Sequence, residues 1–276
     1  MSEPSAPRAL ILMYHAVEPA RSPLSVTPKL FRSHLRRIAE SGARVVTVRE
    51  LTEELQRGKS QRDLLVAITF DDGFESVAEV AAPLLADKGL AATVFCVAGR
   101  LGGTSDWPSG RAGVTARALA SASALRDLSQ AGLEIGSHGF DHEPLVVDTE
   151  ELLRREITHS KRVLEEVVGT PVTSFAYPYG ADPSPFARQL VEETYAAACT
   201  TRMASLGPDP DRYALPRVDA HYVRRPELLA RVLSDGIGPY LVARRIGART
   251  RRRLRKDYLT DRSFRWGETP QTTRAP

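Results

Sequence analysis

The chain has 276 residues, 42% of them apolar and 26% charged, which suits an ordinary globular protein built as one large α/β barrel or two small domains. Two cysteines, Cys96 and Cys199, lie far apart in apolar runs; they exclude a disulfide framework and a CxxC site and read as small buried hydrophobes. The net charge of +4 is local, because Arg244, Arg245, Arg249, Arg251, Arg252, Arg253, Arg255 and Lys256 are eight basic residues with no acid among them, and without them the rest of the chain stands at −4.

Met1–Arg8 is polar and proline-containing, and the apolar run Ala9–Val17 is interrupted by Tyr14 and His15. No signal peptide is visible there and no stretch is long enough to span a bilayer, so a cytoplasmic enzyme is expected. Ala9–His15 reads as a buried strand ending in a histidine. Thr27 then caps a helix with Pro28 at its first position, and Phe31, Leu35, Ile38 and Ala39 give it an apolar stripe. Arg44–Val48 is a second strand and Glu50–Arg57 a short helix. Leu64–Phe70 is apolar and β-branched, as a strand buried on both faces should be, and it stops abruptly at Asp71-Asp72-Gly73.

A helix over Glu75–Lys88, with Val77, Val80, Leu84 and Leu85 inward, leads to a strand at Ala91–Ala98. The long segment Gly99–Gly113 contains Trp107, and loops of that length inside compact domains are functional or disordered. Then come a helix at Ala122–Ala131, a strand at Leu133–His138 and a helix at Glu150–Val168, for which Thr149 is the candidate cap. Pro171–Tyr177 is a strand ending in Pro178-Tyr179-Gly180, and Pro183–Thr194 a helix. Ala196–Thr200 and Tyr213–Val218 complete the strands, and Pro226–Ile246 is the last helix. This alternation favours one parallel β/α domain, and a barrel over an open sheet, because chemical residues stand at the ends of many separate strands. The domain is expected over 9–247, after a disordered segment 1–8 and before a loosely ordered basic tail, 248–276.

In such a domain the C-terminal ends of the strands carry the active site. A helix cap explains one of the two adjacent aspartates, whereas a metal ligand beside a general base uses both. His138 and His142 bracket Gly139-Phe140-Asp141; Gly139 and Pro144 argue against a regular helix there, so the pair belongs to a strand end and its loop. Two of the six histidines within five residues, directly after a serine, point to a metal. With one aspartate of the pair they make three ligands and an open position, the layout of a catalytic ion.

Thr69-Phe-Asp-Asp-Gly73, Ser137-His-Gly-Phe-Asp-His142 and Phe175-Ala-Tyr-Pro-Tyr-Gly180, in that order, resemble the motifs of the polysaccharide deacetylase family, the NodB-homology carbohydrate esterases. The resemblance runs from Ala9 to Val218 and implies a distorted (β/α) barrel of about seven strands. It further implies that Asp71 is the general base, that Asp72, His138 and His142 hold a divalent metal, zinc, and that the backbone N–H of Tyr179 donates to the oxyanion. The substrate so implied is an N-acetylated sugar or polysaccharide.

Three positions depart from the family pattern. Ala176 stands where many members have an arginine that orients the base; Arg217, in Leu215-Pro216-Arg217, either supplies that guanidinium or is a plain surface arginine. Glu143 separates His142 from Pro144, where many members have proline directly after the histidine. The acid histidine of many members lies near the end of the domain, where this chain has His221. Leu12-Met13-Tyr14-His15 instead resembles a circularly permuted branch whose first strand supplies that residue, so His15 is the expected acid. The loop around Trp107 also resembles that branch, and Trp107 either stacks on a sugar face or anchors its loop. The rival expectations are hydrolysis of a non-sugar amide on the same fold and an inactive glycan-binding barrel. Nucleic acid is not an expected partner; contact of the arginine-rich tail with an anionic membrane or polymer is.

Overall fold

The computed structural model describes residues 9–19, 22, 24–57, 63–107, 116–146, 149–207 and 209–237. By backbone contacts the chain forms one compact unit, Met1–Gly236, and a second, Ile237–Pro276. The expected segment 1–8, the continuation of the last helix to Ile246 and the basic tail lie outside the described residues. No helix among the described residues is long and apolar enough to cross a membrane.

The first strand, β1 (Ala9–Tyr14), is fully buried and is followed by a small parallel pair, β2 (Ala16–Val17) and β3 (Ser25–Val26). Helix α1 (Pro28–Glu40) starts where Thr27 accepts from the Leu30 N–H. It turns Phe31, His34, Leu35 and Ile38 inward, while Ala39, an expected member of that stripe, faces solvent. Strand β4 (Arg44–Val46) is shorter than expected because Thr47 already caps α2 (Val48–Gln56) in a reciprocal box with Glu50.

Strand β5 (Leu65–Phe70) pairs along its whole length with β1; its other edge is shared by β4 near its start and β6 (Thr93–Cys96) near its end. The helix between β5 and β6 is a π-turn, Val77–Ala81, running into α3 (Ala82–Ala86). Pro83 gives the reason: it has no N–H for the turn before it and its ring crowds the preceding carbonyls, so the Ala82 N–H reaches back to Val77 instead. This widening leaves Val80 only half-buried and turns Ala81 inward.

Helix α4 (Ala122–Gln130), strand β7 (Glu134–Ser137) and α5 (Glu150–Arg154) follow. Thr149 makes no side-chain cap bond, contrary to expectation, and a second π-turn, Arg155–His159, separates α5 from α6 (Ser160–Val168). Strand β8 (Ser174–Ala176), helix α7 (Pro185–Thr194), strands β9 (Ala197–Cys199) and β10 (Val218–Asp219), and helix α8 (Pro226–Asp235) complete the unit.

All strands of the main sheet are parallel, in the order β10-β1-β5-β6-β7-β8-β9 with β4 beside β5. The segment 215–219 touches both ends of that order, because Leu215 bridges Cys199 and Val218 pairs with Leu12. The sheet therefore curls into the expected distorted barrel, with first and last strands adjacent. Ala9, Ile11, Leu65, Ala67, Phe95, Ala176, Ala197, Cys199 and Leu215 fill the interior, and Val46, Val48, Leu51 and Leu206 close it at the strands' N-terminal end. Glu134 ties this closure together, accepting from the Thr93 and Ser174 hydroxyls at 2.7 and 2.6 Å and from the Arg49 N–H at the start of α2. Cys96 and Cys199 are buried free thiols, pushed up to about 12 by burial.

On the outer face of β1, Tyr14 packs edge-on against Phe31, and its hydroxyl stands 2.9 Å from Nδ1 of the fully buried His34. Burial lowers the His34 pKa to about 4. A folded value below the unfolded one, about 6.5, means that the unfolded chain binds the extra proton, so stability falls as pH drops from about 6.5 to about 4. His34→Gln should remove this contribution, on the order of 3 kcal/mol between pH 7 and pH 4. Urea unfolding of both proteins across that range would measure it; parallel pH profiles would contradict the assignment.

Candidate active site

Strand alternation carries the chemistry to the C-terminal rim. Side chains at every second position of a strand share a face, so the interior rows continue upward to the rim residues. Ala9 and Ile11 lead to Met13 and His15, and Leu65 and Ala67 lead to Thr69 and Asp71. Leu215 leads to Arg217. Gly136 also faces inward, since a Cβ there would stand 2.5 Å from the Phe95 ring, and it leads to His138.

Asp71 keeps the strand geometry of β5: its N–H donates to the Tyr14 carbonyl at 2.9 Å. Its carboxylate is gripped by Arg217, with Nη1 2.6 Å from Oδ1 and Nη2 2.7 Å from Oδ2. Arg217 is fully buried and spends its other donors on Thr69 Oγ1 and the Thr200 carbonyl. A guanidinium thus reaches Asp71 from the segment that closes the barrel, while Ala176 packs in the core. Burial alone would raise the Asp71 pKa, but the charge of Arg217, with those of His138 and His15 behind it, holds the carboxyl below its ordinary value.

Asp72 takes the other path. Alternation would send its side chain outward beside Phe70, but its backbone turns left-handed, with φ 71°, and so does that of Gly73. The strand ends there and the second carboxylate swings to the rim. Asp72 Oδ1 lies 3.4 Å from His138 Nε2 and 3.4 Å from His142 Nε2. The three donor atoms lie within 4.8 Å of one another, and all three residues are buried. Two donors about 2.1 Å from one tetrahedral ion stand about 3.4 Å apart, so the residues fit a divalent metal. The tautomer fits as well: His138 Nδ1 donates to the Ala176 carbonyl at 2.7 Å, which leaves the Nε2 lone pair available to a metal. Burial would raise the Asp72 pKa, but the two imidazoles hold it well below the ordinary value.

Among the described residues three non-glycine positions have left-handed backbone, Asp72, His142 (φ 65°) and Tyr179 (φ 58°). All three are at this rim. Such conformations cost on the order of 1 to 3 kcal/mol each, so the surrounding contacts must over-determine them. The His142 ring stacks on Trp107 at 4.5 Å and meets the edge of Tyr179 at 4.5 Å. The Trp107 loop is anchored in turn by bridges of Thr104 to Ala118 and of Phe74 to Leu119. The loop carrying His142 sits on Glu156, whose carboxylate accepts from the N–H groups of Phe140, Asp141 and Glu143 at 2.9, 2.9 and 3.3 Å. Burial pushes this carboxyl up to about 7 despite those three bonds.

The structure thus gathers Asp71, Asp72, His138, His142, Trp107, Tyr179 and Arg217 at one rim. His15 stands at the same rim, half-buried and close enough to add to the positive field at both aspartates. His221 lies beyond β10, where its N–H donates to Asp219 and its ring meets Tyr222. None of the sequence motifs marks Glu156. Its one signal was a glutamate on the apolar stripe of Leu153, Ile157 and Leu164.

The Asp71–Arg217 pair makes a stability prediction of its own. Arg217→Met would leave a buried carboxylate unpaired and should cost about 3 to 5 kcal/mol. Adding Asp71→Asn should return a large part of that loss, and urea unfolding of the metal-free single and double variants would show the coupling. Additive losses would contradict a direct pair.

The polysaccharide deacetylase family model matches residues 58–198, just over half of the chain. That span holds Asp71, Asp72, His138, His142 and Tyr179, but neither His15 nor Arg217. A protein of Bacillus subtilis (strain 168), YxkH, itself assigned to the polysaccharide deacetylases, is 27% identical over 208 residues, covering 75% of this chain and 70% of its own. The poly-β-1,6-N-acetyl-D-glucosamine N-deacetylase of Staphylococcus epidermidis is 23% identical over 203 residues, 70% of this chain and 67% of its own. The fold matches that of the Streptococcus pyogenes deacetylase PplD, solved in complex with acetate, with a TM-score of 0.71 at 23% identity over 83% of this chain and 99% of that one. With its three motifs meeting at one barrel rim, the chain belongs to the polysaccharide deacetylase family, hydrolases of carbon–nitrogen bonds other than peptide bonds.

Proposed function

We propose that this chain removes N-acetyl groups from an N-acetylated sugar polymer by metal-dependent hydrolysis. The observation that carries the reading is the placement of Asp72 Oδ1 at 3.4 Å from both His138 Nε2 and His142 Nε2, beside a second carboxylate that arginine holds apart. The name of the Staphylococcus epidermidis relative, an N-deacetylase of poly-β-1,6-N-acetyl-D-glucosamine, supports a polymeric substrate of that class.

Asp72, His138 and His142 would hold the ion, and one carboxylate with two imidazoles is a donor set that suits zinc. A divalent ion there would polarise the acetamide carbonyl and bring a water's pKa from 15.7 towards about 7, which is what a base as weak as Asp71 requires. Asp71, oriented by the two-pronged grip of Arg217, takes a proton from the attacking water. The Tyr179 N–H, displayed on a left-handed turn, donates to the oxygen on which negative charge develops. His15 protonates the departing amine from the end of β1. Trp107, half-buried and stacked on His142, offers its remaining surface to a sugar ring. A non-sugar amide drew its case from the missing arginine at Ala176, and Arg217 on Asp71 removes that ground.

Acetate release from β-1,6- and β-1,4-linked N-acetylglucosamine oligomers tests the reading. Asp71→Asn and His15→Ala should each lower turnover by roughly 10²-fold or more, while His221→Ala stays near wild type. Loss on His221→Ala with His15→Ala unaffected would assign the acid to the other end of the domain. Full turnover by Asp71→Asn would sink the base.

A further inference from the structure

His142 sits in an improbable conformation, left-handed and non-glycine, within a loop that also carries Asp141 and Glu143. A loop of this kind keeps one shape only when its backbone donors have fixed acceptors. The acceptor here is a single side chain. Glu156 Oε1 takes the Asp141 N–H, and Oε2 takes the N–H groups of Phe140 and Glu143, so the amides it holds lie on both sides of His142.

The fold is shaped to put that carboxylate there. The helix from Glu150 to Val168 opens into its π-turn over Arg155–His159, where the Ser160 N–H reaches back to Arg155. Glu156 and Ile157 of this turn are both buried. Ser160 Oγ donates to the Glu156 carbonyl at 2.6 Å and receives Ser137 Oγ of β7 at 2.9 Å, which ties this turn to the strand that ends in His138. Gly139 completes the cradle, since a Cβ at that position would stand 2.5 Å from Glu156 Oε2. π-Turns of this sort recur at functional sites.

We propose that Glu156 is the positioning residue of the metal site: its buried carboxylate holds the loop bearing His142 in ligating shape before any ion binds. This rests on the reading of Asp72, His138 and His142 as the ligands. It adds that the site is preorganised from outside, through backbone amides, by a group that touches neither ion nor substrate.

The test has two readouts, one independent of metal. In the metal-free wild type, hydrogen exchange at the Phe140, Asp141 and Glu143 amides should be slow, and Glu156→Gln should speed it by roughly ten-fold or more. By titration with Co²⁺, whose visible spectrum reports ligand geometry, and with Zn²⁺, Glu156→Gln should bind about 10- to 100-fold more weakly than wild type. Glu134→Gln, which alters an equally buried carboxylate at the closed end of the barrel, should leave affinity and spectrum unchanged. Glu156→Asp, which withdraws the same charge by one methylene, serves if the glutamine variant does not fold. Fast exchange of the three amides in the wild type would overturn the proposal. So would wild-type affinity in a folded Glu156 variant, or equal losses in the Glu134 and Glu156 variants. A wild type that binds no metal would instead remove the ligand assignment, while the exchange result still judges Glu156.

Discussion

The site depends on the way β5 ends. Two aspartates adjacent in sequence would repel each other and compete for the same partners if the strand simply continued. It stops between them instead. Asp71 keeps the strand's hydrogen bond to β1 and points inward to Arg217, while Asp72 turns left-handed and meets two imidazoles. Each carboxylate therefore has its own environment, a guanidinium for Asp71 and two imidazoles for Asp72, which suits the proposed division into one base and one ligand. Buried charges are tolerable only when paired and hydrogen-bonded, and Asp71, Asp72 and Arg217 each have such a partner on a neighbouring element.

Those partners come from separated parts of the chain, which explains why the barrel must close. Arg217 reaches Asp71 because the segment 215–219 pairs with β9 on one side and β1 on the other. The same closure sets His15, at the end of the first strand, in the field of both aspartates. The opposite end of the barrel is sealed by α2 and held by Glu134. Stability and chemistry thus occupy opposite ends of the strands, as is general for this architecture.

Much of this was legible in the sequence, because the informative features were local. Apolar runs ending in chemical residues marked the strands, and the three short motifs marked the family. Features that depend on distant contacts were not legible. Arg217 read equally as a surface residue, since nothing in Leu215-Pro216-Arg217 says that it spans to Asp71. Glu156 gave almost no signal, because its partners are backbone amides that every residue possesses. The short β4 and the π-turn at Pro83 follow from caps and proline chemistry that outweighed the apolar pattern. In the sequence Trp107 fits a sugar platform and a loop anchor equally; in the structure its ring lies against His142.

The proposed chemistry requires that Asp72, His138 and His142 together hold one divalent ion while Asp71 stands aside with Arg217. Anomalous diffraction from a zinc-soaked crystal, recorded at the metal's absorption edge, tests it most directly. A single strong peak should lie within bonding distance of Asp72 Oδ1, His138 Nε2 and His142 Nε2, with the Arg217–Asp71 pair intact beside it. A peak bonded to Asp71 in place of Asp72, or an ion held without either histidine, would contradict it.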